Sequence, residues 1–552
     1  MPRKAAGIVE SHSGVCIVRK LLLAVFVVAL ALTAAAATGS AAAPQSGREH
    51  LLVGFSKTPG APERALVARH GGTVRFSFPQ VDALAIDLDS AKISDLAREG
   101  GVAYVEQDPE RTPLGLSDAQ LVPSITNGLY GLVTTHAVDA HTAGYIGSGV
   151  KACVADTGLD TGHPDIAANF VDGYNAFDGG TPDTVDVFDL GVETTETHAT
   201  HVSGILLGVD NTAGILGVAT GADLYEARVL GTNDDGSVSG PTSVIMTGVQ
   251  WLADQGCKVI NMSLGGGTKS RTEEALYNQI TAAGTLIVAS AGNGGRTRVS
   301  YPAAYPSLLA VGAVDSSNAH AGFSNTGSAL DISGPGVGVL SSVPNGQGRD
   351  ASVTAGATAY GALGFEFAGT TGASGITATL VNCGFGESTT SCPAGTTGKI
   401  ALIKRGSPTH RSVTFSTKVT NAMAAGAAAA IVYNNVAGNF VGTLTTEDNA
   451  GTPWIPTVSV SLADGETLLT TVGTSVTLVN APTSWDFFDG TSMAAPHVSG
   501  ASALVLGKNG SLTPAQVRSI LTASAQDLGV AGYDTTFGYG LVDATAALAA
   551  TP

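Results

Sequence analysis

A chain of 552 residues has room for two to four domains at ~100–200 residues each and for a sizeable buried core. Only 13% of the residues are charged and the formal net charge is −18, which excludes a basic nucleic-acid binder and a protein held on an anionic membrane by a cationic face.

In chain order, Arg19 and Lys20 precede an apolar run from Leu21 to Ala37, followed by Ala-x-Ala patterns at Ala35/Ala37 and Ala41/Ala43. A basic start, an apolar middle and a small-residue exit predict a signal peptide over residues 1–43 that is removed on export, and hence a secreted protein. The run is short for a retained membrane anchor, and no later segment is long and apolar enough to span a bilayer. Of the five cysteines, Cys16 leaves with the signal. Cys383 and Cys392 flank a polar loop and are placed to pair in an oxidising compartment. Cys153 and Cys257 lie in apolar runs and read as buried thiols rather than a second bridge.

Residues 50–108 follow the order strand, helix, strand, strand, helix, strand, with strands at His50–Phe55, Thr73–Phe78, Ala83–Leu88 and Val102–Glu106. This βαββαβ pattern is a small split βαβ unit. It lies between an export signal and the main body, so it reads either as an ordinary small domain or as a removable pro-segment. The loop Gln107–Ser117, with Pro109 and Pro113, is an exposed cleavage zone on the second reading.

Beyond Tyr145, apolar strands at Val150–Ala155, Asp223–Val229, Val259–Leu264, Thr285–Ser290 and Leu309–Val314 alternate with helices near Thr200–Leu207, Ser243–Gln255 and Thr272–Ala283. Continuous apolar strands between helices predict an α/β fold, a mostly parallel sheet with helices on both faces, whose ligands bind beyond the carboxyl ends of the strands. From about Pro344 to Pro482 the rhythm breaks into short strands such as Lys399–Lys404 and Ala428–Tyr433 around one helix near Phe415–Ala425, which reads as a β-rich inserted domain. A helix from Thr491 to about Gly507, with Pro496 in its first turn, and another from Pro514 to Ala523 resume the main domain.

Three polar groups stand where apolar surroundings do not explain them: Asp156 at the end of a buried strand, His198 opening a helix, and Ser492 opening another. A serine hydroxyl becomes a nucleophile when an imidazole within hydrogen-bond reach takes its proton and a buried carboxylate fixes the ring's tautomer. Asn293, after the strand ending at Ser290, is placed to donate its side-chain amide to a developing oxyanion. Each has a plainer reading alone: a strand-end Asp caps a turn, a Ser before a helix is an N-cap, and His198 and His201, three apart with Glu196 nearby, are spaced as metal ligands. Their joint occurrence favours the nucleophilic arrangement.

The stretches Ala155–Gly158, His198–Gly204, Asn261–Gly265, Ala291–Asn293, Gly490–His497 and Gly538–Asp543 resemble the subtilisin family (subtilases), in the chain order Asp, His, Ser, over roughly residues 120–345 and 480–548. The resemblance implies a serine endopeptidase with Asp156, His198 and Ser492 as triad and Asn293 in the oxyanion hole. Ser263, Leu264, Gly265, Ser290, Ala291 and Gly292 would flank an extended substrate, and His201 would be structural. Ala199 departs from the family's usual glycine after the histidine. Residues 48–112 resemble the family's propeptide inhibitor, with the mature N-terminus expected within 109–120. Residues 346–480 resemble a protease-associated (PA) domain, on Gly398–Gly406, Phe415–Gly426 and Ile431–Asn435. The catalytic domain is then 120–345 plus 481–552. Asp165 and Asn211 match a calcium loop; no other cofactor is implied. Partners would be protein or peptide substrates and the chain's own propeptide. Small residues near the specificity pocket suggest an apolar or aromatic residue before the cut.

Three rivals stand against this reading. A catalytically inert subtilase fold acting as a binding module is disfavoured because Asp156, His198, Ser492 and Asn293 are all present. An α/β-hydrolase esterase needs a Gly-x-Ser-x-Gly elbow and another residue order, and neither is found. A serine-carboxyl peptidase needs a Glu base where His198 stands.

Overall fold

The structure is a computed structural model that describes residues 47–114, 129–178, 197–212, 214–233, 237–365, 367–408, 413–436, 440, 442–444 and 451–552. The signal peptide, Cys16, Glu196 and Gln120 lie outside the described residues.

The N-terminal segment folds into strands β1 (Arg48–Phe55), β2 (Thr73–Phe78), β3 (Ala83–Asp89) and β4 (Val102–Gln107), with helices α1 (Ala61–Arg69) and α2 (Ile93–Leu96). The strands form an antiparallel sheet in the order β2-β3-β1-β4. Alternation sorts its residues: Leu51, Val53, Ile86 and Leu88 bury themselves with Leu66 and Leu96 on one face, while Leu52, Phe78, Ala83 and Ala85 join the core of the main domain. A short strand β5 (Glu110–Pro113) follows.

Helices α3 (Tyr130–Thr134) and α4 (Ala137–Thr142) lead into β6 (Lys151–Asp156), β7 (Phe170–Asn175), α5 (His198–Leu207), β8 (Asp223–Arg228), β9 (Gly231–Thr232) and β10 (Val238–Pro241). Then come α6 (Thr242–Asp254), β11 (Val259–Met262), β12 (Leu264–Gly265), α7 (Arg271–Ala282), β13 (Leu286–Ser290), β14 (Leu309–Val314), β15 (Ile332–Pro335) and β16 (Val339–Ser342). Seven of these strands form a parallel sheet in the order β15-β14-β13-β11-β6-β8-β7. Strands β13 and β14 are apolar almost along their length because helices cover both faces.

The expected strand Val259–Leu264 is broken at Ser263. Leu264 and Gly265 peel away from the sheet to pair with β5 as a separate two-residue strand. Another expectation is corrected beside it. Cys153 in β6 and Cys257 at the entry to β11 are joined by a disulfide rather than lying as separate thiols. The parallel pairing of β6 with β11 brings the two residues together across 104 positions of sequence, a proximity that spacing alone does not reveal.

The inserted region builds its own eight-stranded sheet from β17 (Gly348–Ala355), β18 (Thr358–Gly361), β19 (Leu363–Gly364), β20 (Ile376–Asn382), β21 (Ile400–Lys404), β22 (Ala429–Tyr433), β23 (Thr457–Val460) and β24 (Ser475–Thr483), with α8 (Phe415–Ala424) and α9 (Leu462–Leu469) packed on it. Two small cores flank that sheet, and Cys383 bonds Cys392, as the polar loop between them predicts. The insert leaves and rejoins the main domain beside the paired strands β16 and β25 (Trp485–Phe488).

The chain closes with α10 (Thr491–Lys508), α11 (Pro514–Ala523) and α12 (Ala544–Ala550). Helix α10 is buried from Thr491 to Leu506, so apart from His497 it is apolar or small on every side. Pro496 lies in its second turn, not its first, and therefore inside the helix.

Candidate functional site

The site forms where β6 and β11, neighbours in the sheet, both end. Asp156 is the last residue of β6, and its Oδ1 lies 2.7 Å from His198 Nδ1. His198 is the first residue of α5, and the main-chain N–H of Ala199 donates to Thr157 Oγ1 at 3.2 Å, tying the helix start to the strand end. Asp156 Oδ1 also accepts from the Thr157 N–H at 2.8 Å. Ala199 is fully buried, so the helix accommodates its methyl where the family usually has none.

Ser492, the second residue of α10, is fully buried. Its hydroxyl donates to the Ser263 carbonyl at 2.9 Å, while His198 Nε2 has no hydrogen-bond partner. The structure thus brings the aspartate and histidine into contact as expected but leaves the serine turned toward Ser263. Pro496 explains part of the local geometry. Lacking an N–H, it cannot bond the carbonyl four residues earlier. That carbonyl belongs to Ser492, and the Ser263 hydroxyl donates to it instead at 2.8 Å. Ser263 is held by Asn261 Nδ2 at 2.9 Å, and Asn261 Oδ1 accepts from Ser499 Oγ at 2.9 Å.

His201, one turn along α5, is buried with its Nε2 3.1 Å from the carbonyls of Val339 and Asp486 and its ring stacked on Phe488 at 4.2 Å. Burial pushes its pKa down to about 3, so it stays neutral and structural.

Asn293 faces the same space. Its Oδ1 accepts from the Thr491 main-chain N–H at 2.9 Å and from Thr491 Oγ1 at 2.8 Å, which turns Nδ2 the other way. Asn293 Nδ2 donates to the carbonyl of Leu114. Thr491, which sequence reasoning passed over, also accepts from the Gly292 N–H at 3.1 Å.

Leu114 arrives there because β5 lies in the cleft as a strand. It pairs antiparallel with β12 on one side (Leu264 with Pro113, Gly265 with Thr112) and with β10 on the other (Gly240 with Arg111, Pro241 with Glu110). The Leu114 N–H donates to the Ser263 carbonyl at 3.1 Å. Gly265 is required by close approach, since a Cβ there would lie 2.9 Å from Leu114 Cδ1. Of the expected flanking residues, Ser263, Leu264 and Gly265 touch this strand. Ser290 ends β13, and Ala291 and Gly292 lead from it into Asn293. The opposite edge, β10, was missed because two of its four residues are Gly240 and Pro241, which weaken any strand pattern.

Two carboxylates of the N-terminal domain reach the main domain as helix caps. Asp108 accepts from the Ser243 N–H at 2.8 Å and from Ser243 Oγ at 2.5 Å, at the start of α6. Glu106 accepts from the N–H groups of Arg271 and Thr272 at 3.1 and 3.0 Å, at the start of α7. Helix N-termini carry unpaired N–H groups and a partial positive charge, so both carboxylates are well placed. Burial nevertheless pushes the Asp108 pKa up, against the bonds from Ser243 and the nearby Arg75.

Asp165 and Asn211, expected as calcium ligands, are adjacent, but the described residues around them are arranged as hydrogen-bond donors rather than as cation ligands. The Asp165 carboxylate accepts from Asn211 Nδ2 at 2.9 Å, the Ile215 N–H at 3.1 Å, Ser342 Oγ at 3.2 Å and Trp485 Nε1 at 2.6 Å. Calcium takes six to eight oxygen ligands, whereas among the described residues hydrogens of four donors point at the Asp165 carboxylate. No group of three or more His, Cys, Asp or Glu suited to a metal occurs among the described residues.

A parallel sheet ending in an Asp–His pair, a buried serine at a helix start and an asparagine amide beside a bound strand define a serine peptidase of the subtilisin type. Comparison with known families agrees: residues 147–382 match the subtilase family and residues 376–468 match the PA domain. The chain is 37% identical over 321 residues to subtilisin E of Bacillus subtilis, covering 56% of this chain and 77% of that protein. It is 35% identical over 329 residues to an alkaline protease of Alkalihalobacillus alcalophilus, covering 57% and 80%. Among solved structures it is similar to the psychrophilic subtilisin-like protease Apa1 of Pseudoalteromonas sp. AS-11, at 32% identity and a TM-score of 0.53, over 76% of this chain and 97% of that one. It shares the fold of fervidolysin from Fervidobacterium pennivorans at 22% identity and a TM-score of 0.55, over 92% and 62%. The chain belongs to the subtilase family of serine peptidases.

Proposed function

We propose that this subtilase is a secreted endopeptidase made as a precursor, with Ser492 as nucleophile, His198 as general base, Asp156 as its orienting carboxylate and Asn293 as oxyanion donor. The observation that carries this reading is the seating of Leu114, with its carbonyl on the Asn293 amide and its N–H on the Ser263 carbonyl. The Leu114–Gly115 bond is then the one the precursor cuts in itself. That lies within the expected 109–120 window and gives a mature chain starting at Gly115.

In the reaction, the Ser492 hydroxyl swings from the Ser263 carbonyl to His198 Nε2, which is without a partner and free to accept its proton. Oγ attacks the carbonyl carbon of Leu114, the carbonyl oxygen takes the negative charge beside Asn293, and Asp156 supports the imidazolium. His198 returns the proton to the departing amine of Gly115, leaving Leu114 esterified to Ser492. A water, deprotonated by His198, then hydrolyses the ester. Only protein groups and water take part, and no step passes through a metal.

The released segment up to Leu114 would remain as an inhibitor, since β5 completes a sheet with β10 and β12 and Glu106 and Asp108 cap two helices. Peptide substrates would take the same place, and Leu114 favours an apolar residue before the cut. The PA region, 346–480, would shape access, because β25 runs directly into Gly490 and α10. Export rests on the signal-like residues 1–43. In the described residues no helix is long and apolar enough to cross a membrane.

The test is expression of the full chain with and without Ser492→Ala. The unsubstituted chain should shorten, yield an N-terminus at Gly115 and react with a fluorophosphonate probe. The Ser492→Ala chain should stay full-length and unlabelled. A chain that shortens identically after the substitution refutes self-cleavage.

A further inference from the structure

We propose that the subsite for the fourth residue before the cut selects arginine, through the buried carboxylate of Glu273; this rests on the reading of residues 110–114 as a substrate-like strand. Counting back from Leu114, the fourth position is Arg111. Its side chain is 0% exposed, and so is that of Glu273. Arg111 Nη2 lies 2.5 Å from Glu273 Oε2.

The main domain builds this pocket independently of the strand. Glu273 stands in the first turn of α7, where the unpaired N–H groups favour a negative charge, and its own N–H donates to Ser270 Oγ at 3.1 Å. The Tyr305 hydroxyl lies 2.7 Å from Glu273 Oε2 and 2.8 Å from the Ser270 carbonyl, sharing its one hydrogen between them, and the Tyr277 hydroxyl lies 3.5 Å from Oε1. The carboxylate is thus held in place by groups that stay when Arg111 departs. Gly266 leaves room for the guanidinium, since a Cβ there would lie 3.2 Å from Arg111 Nη1. Backbone pairing between Arg111 and Gly240 delivers the side chain to the pocket.

A buried carboxylate without a counter-charge is costly, so a substrate that brings a cation gains what an apolar one forfeits. Among basic residues arginine fits because the guanidinium remains charged when desolvated; next to Glu273 its pKa is held above the usual value although burial acts the other way. Sequence alone does not show this. Glu273 and Arg111 are 162 positions apart, and a glutamate in a first helical turn reads as a solvated cap.

The experiment compares three succinyl-tetrapeptide p-nitroanilides, Xaa-Thr-Pro-Leu, with arginine, citrulline or leucine at Xaa, on the self-processed enzyme. The arginine peptide should exceed the uncharged, isosteric citrulline peptide by about 100-fold in kcat/KM, as expected for a desolvated charge pair. In Glu273→Leu the order of arginine and leucine should invert. The citrulline comparison needs only the unsubstituted enzyme, so it decides the matter even if Glu273→Leu fails to fold. An enzyme labelled at Ser492 by fluorophosphonate that shows no preference for arginine over citrulline overturns this proposal alone. Neither cleavage nor labelling overturns it together with the peptidase reading.

Discussion

The Ser492 carbonyl accepts its hydrogen bond from the Ser263 hydroxyl, 2.8 Å away and 229 positions earlier in the chain. Pro496 makes this necessary by withholding the helical N–H, and β11 makes it possible by ending beside α10. Removing the hydroxyl with Ser263→Ala leaves a buried carbonyl unpaired, which costs about 1–3 kcal/mol. Thermal unfolding of the Ser492→Ala precursor, with and without Ser263→Ala, should show the loss. An unchanged melting temperature would mean that another donor replaces Ser263.

Asn293→Ala should slow hydrolysis with little effect on substrate binding, because its amide is aimed at a charge that develops only during the reaction. Removal of such a donor from subtilisin lowers kcat by roughly 10²–10³-fold, and that magnitude is carried over from the relative. Steady-state kinetics on Arg-Thr-Pro-Leu-p-nitroanilide would check it. Thr491→Ala should fall in the same direction, since Thr491 Oγ1 holds the amide in its orientation.

Glu106→Ala should loosen the N-terminal domain from the main domain. Glu106 satisfies the start of α7, and losing a helix cap costs about 0.5–2 kcal/mol. In the uncleaved Ser492→Ala chain, calorimetry should show a lower melting temperature. In the unsubstituted chain, activity should appear sooner, because the segment proposed to inhibit would leave faster. No change in either would assign the interface to Leu52, Phe78 and their apolar neighbours.

Acidification should unfold the protein partly through two buried histidines. Burial lowers His201 to about 3 and His497 to about 4, from 6.5. The unfolded chain therefore binds more protons below 6.5, and stability present above 6.5 is lost as the pH falls toward 4. The slope is about 1.4 kcal/mol per pH unit for each histidine. Asp486, raised to about 6 by burial, works in the opposite sense between its ordinary value of 3.8 and 6, leaving a net slope near that of one histidine over that window. His201→Gln should flatten the profile of stability against pH by about one proton. An unaltered profile would assign the acid sensitivity elsewhere.

The Cys153–Cys257 disulfide closes a long loop across the sheet. Replacing both cysteines by alanine should cost about 2–5 kcal/mol, read as a lower denaturant midpoint with activity retained below it. A midpoint equal to that of the unsubstituted protein would mean that the sheet alone holds β6 against β11.

Much of the architecture was legible because it is written in local pattern. Strands Thr73–Phe78 and Leu309–Val314 and helix Pro514–Ala523 fall where alternation, apolar runs and capping residues put them. Asp156, His198 and Ser492 stood out because each breaks an apolar surrounding, and Asn293 because it follows a strand end. Strands β7 and β10 were not legible, since Gly173, Gly240 and Pro241 mask their periodicity.

The amino-acid sequence by itself determined the subtilase fold, the inserted PA region, the export-like start and the identity of four polar groups, because period, composition and motif are local properties of a chain. Tertiary structure alone decided that Cys153 meets Cys257, that hydrogen-bond donors converge on Asp165, that Ser492 rests on Ser263, and that Arg111 enters a pocket closed by Glu273. Those are meetings between segments far apart in sequence, set by strand order and helix packing, and no local pattern encodes which partner a buried charge or thiol will find.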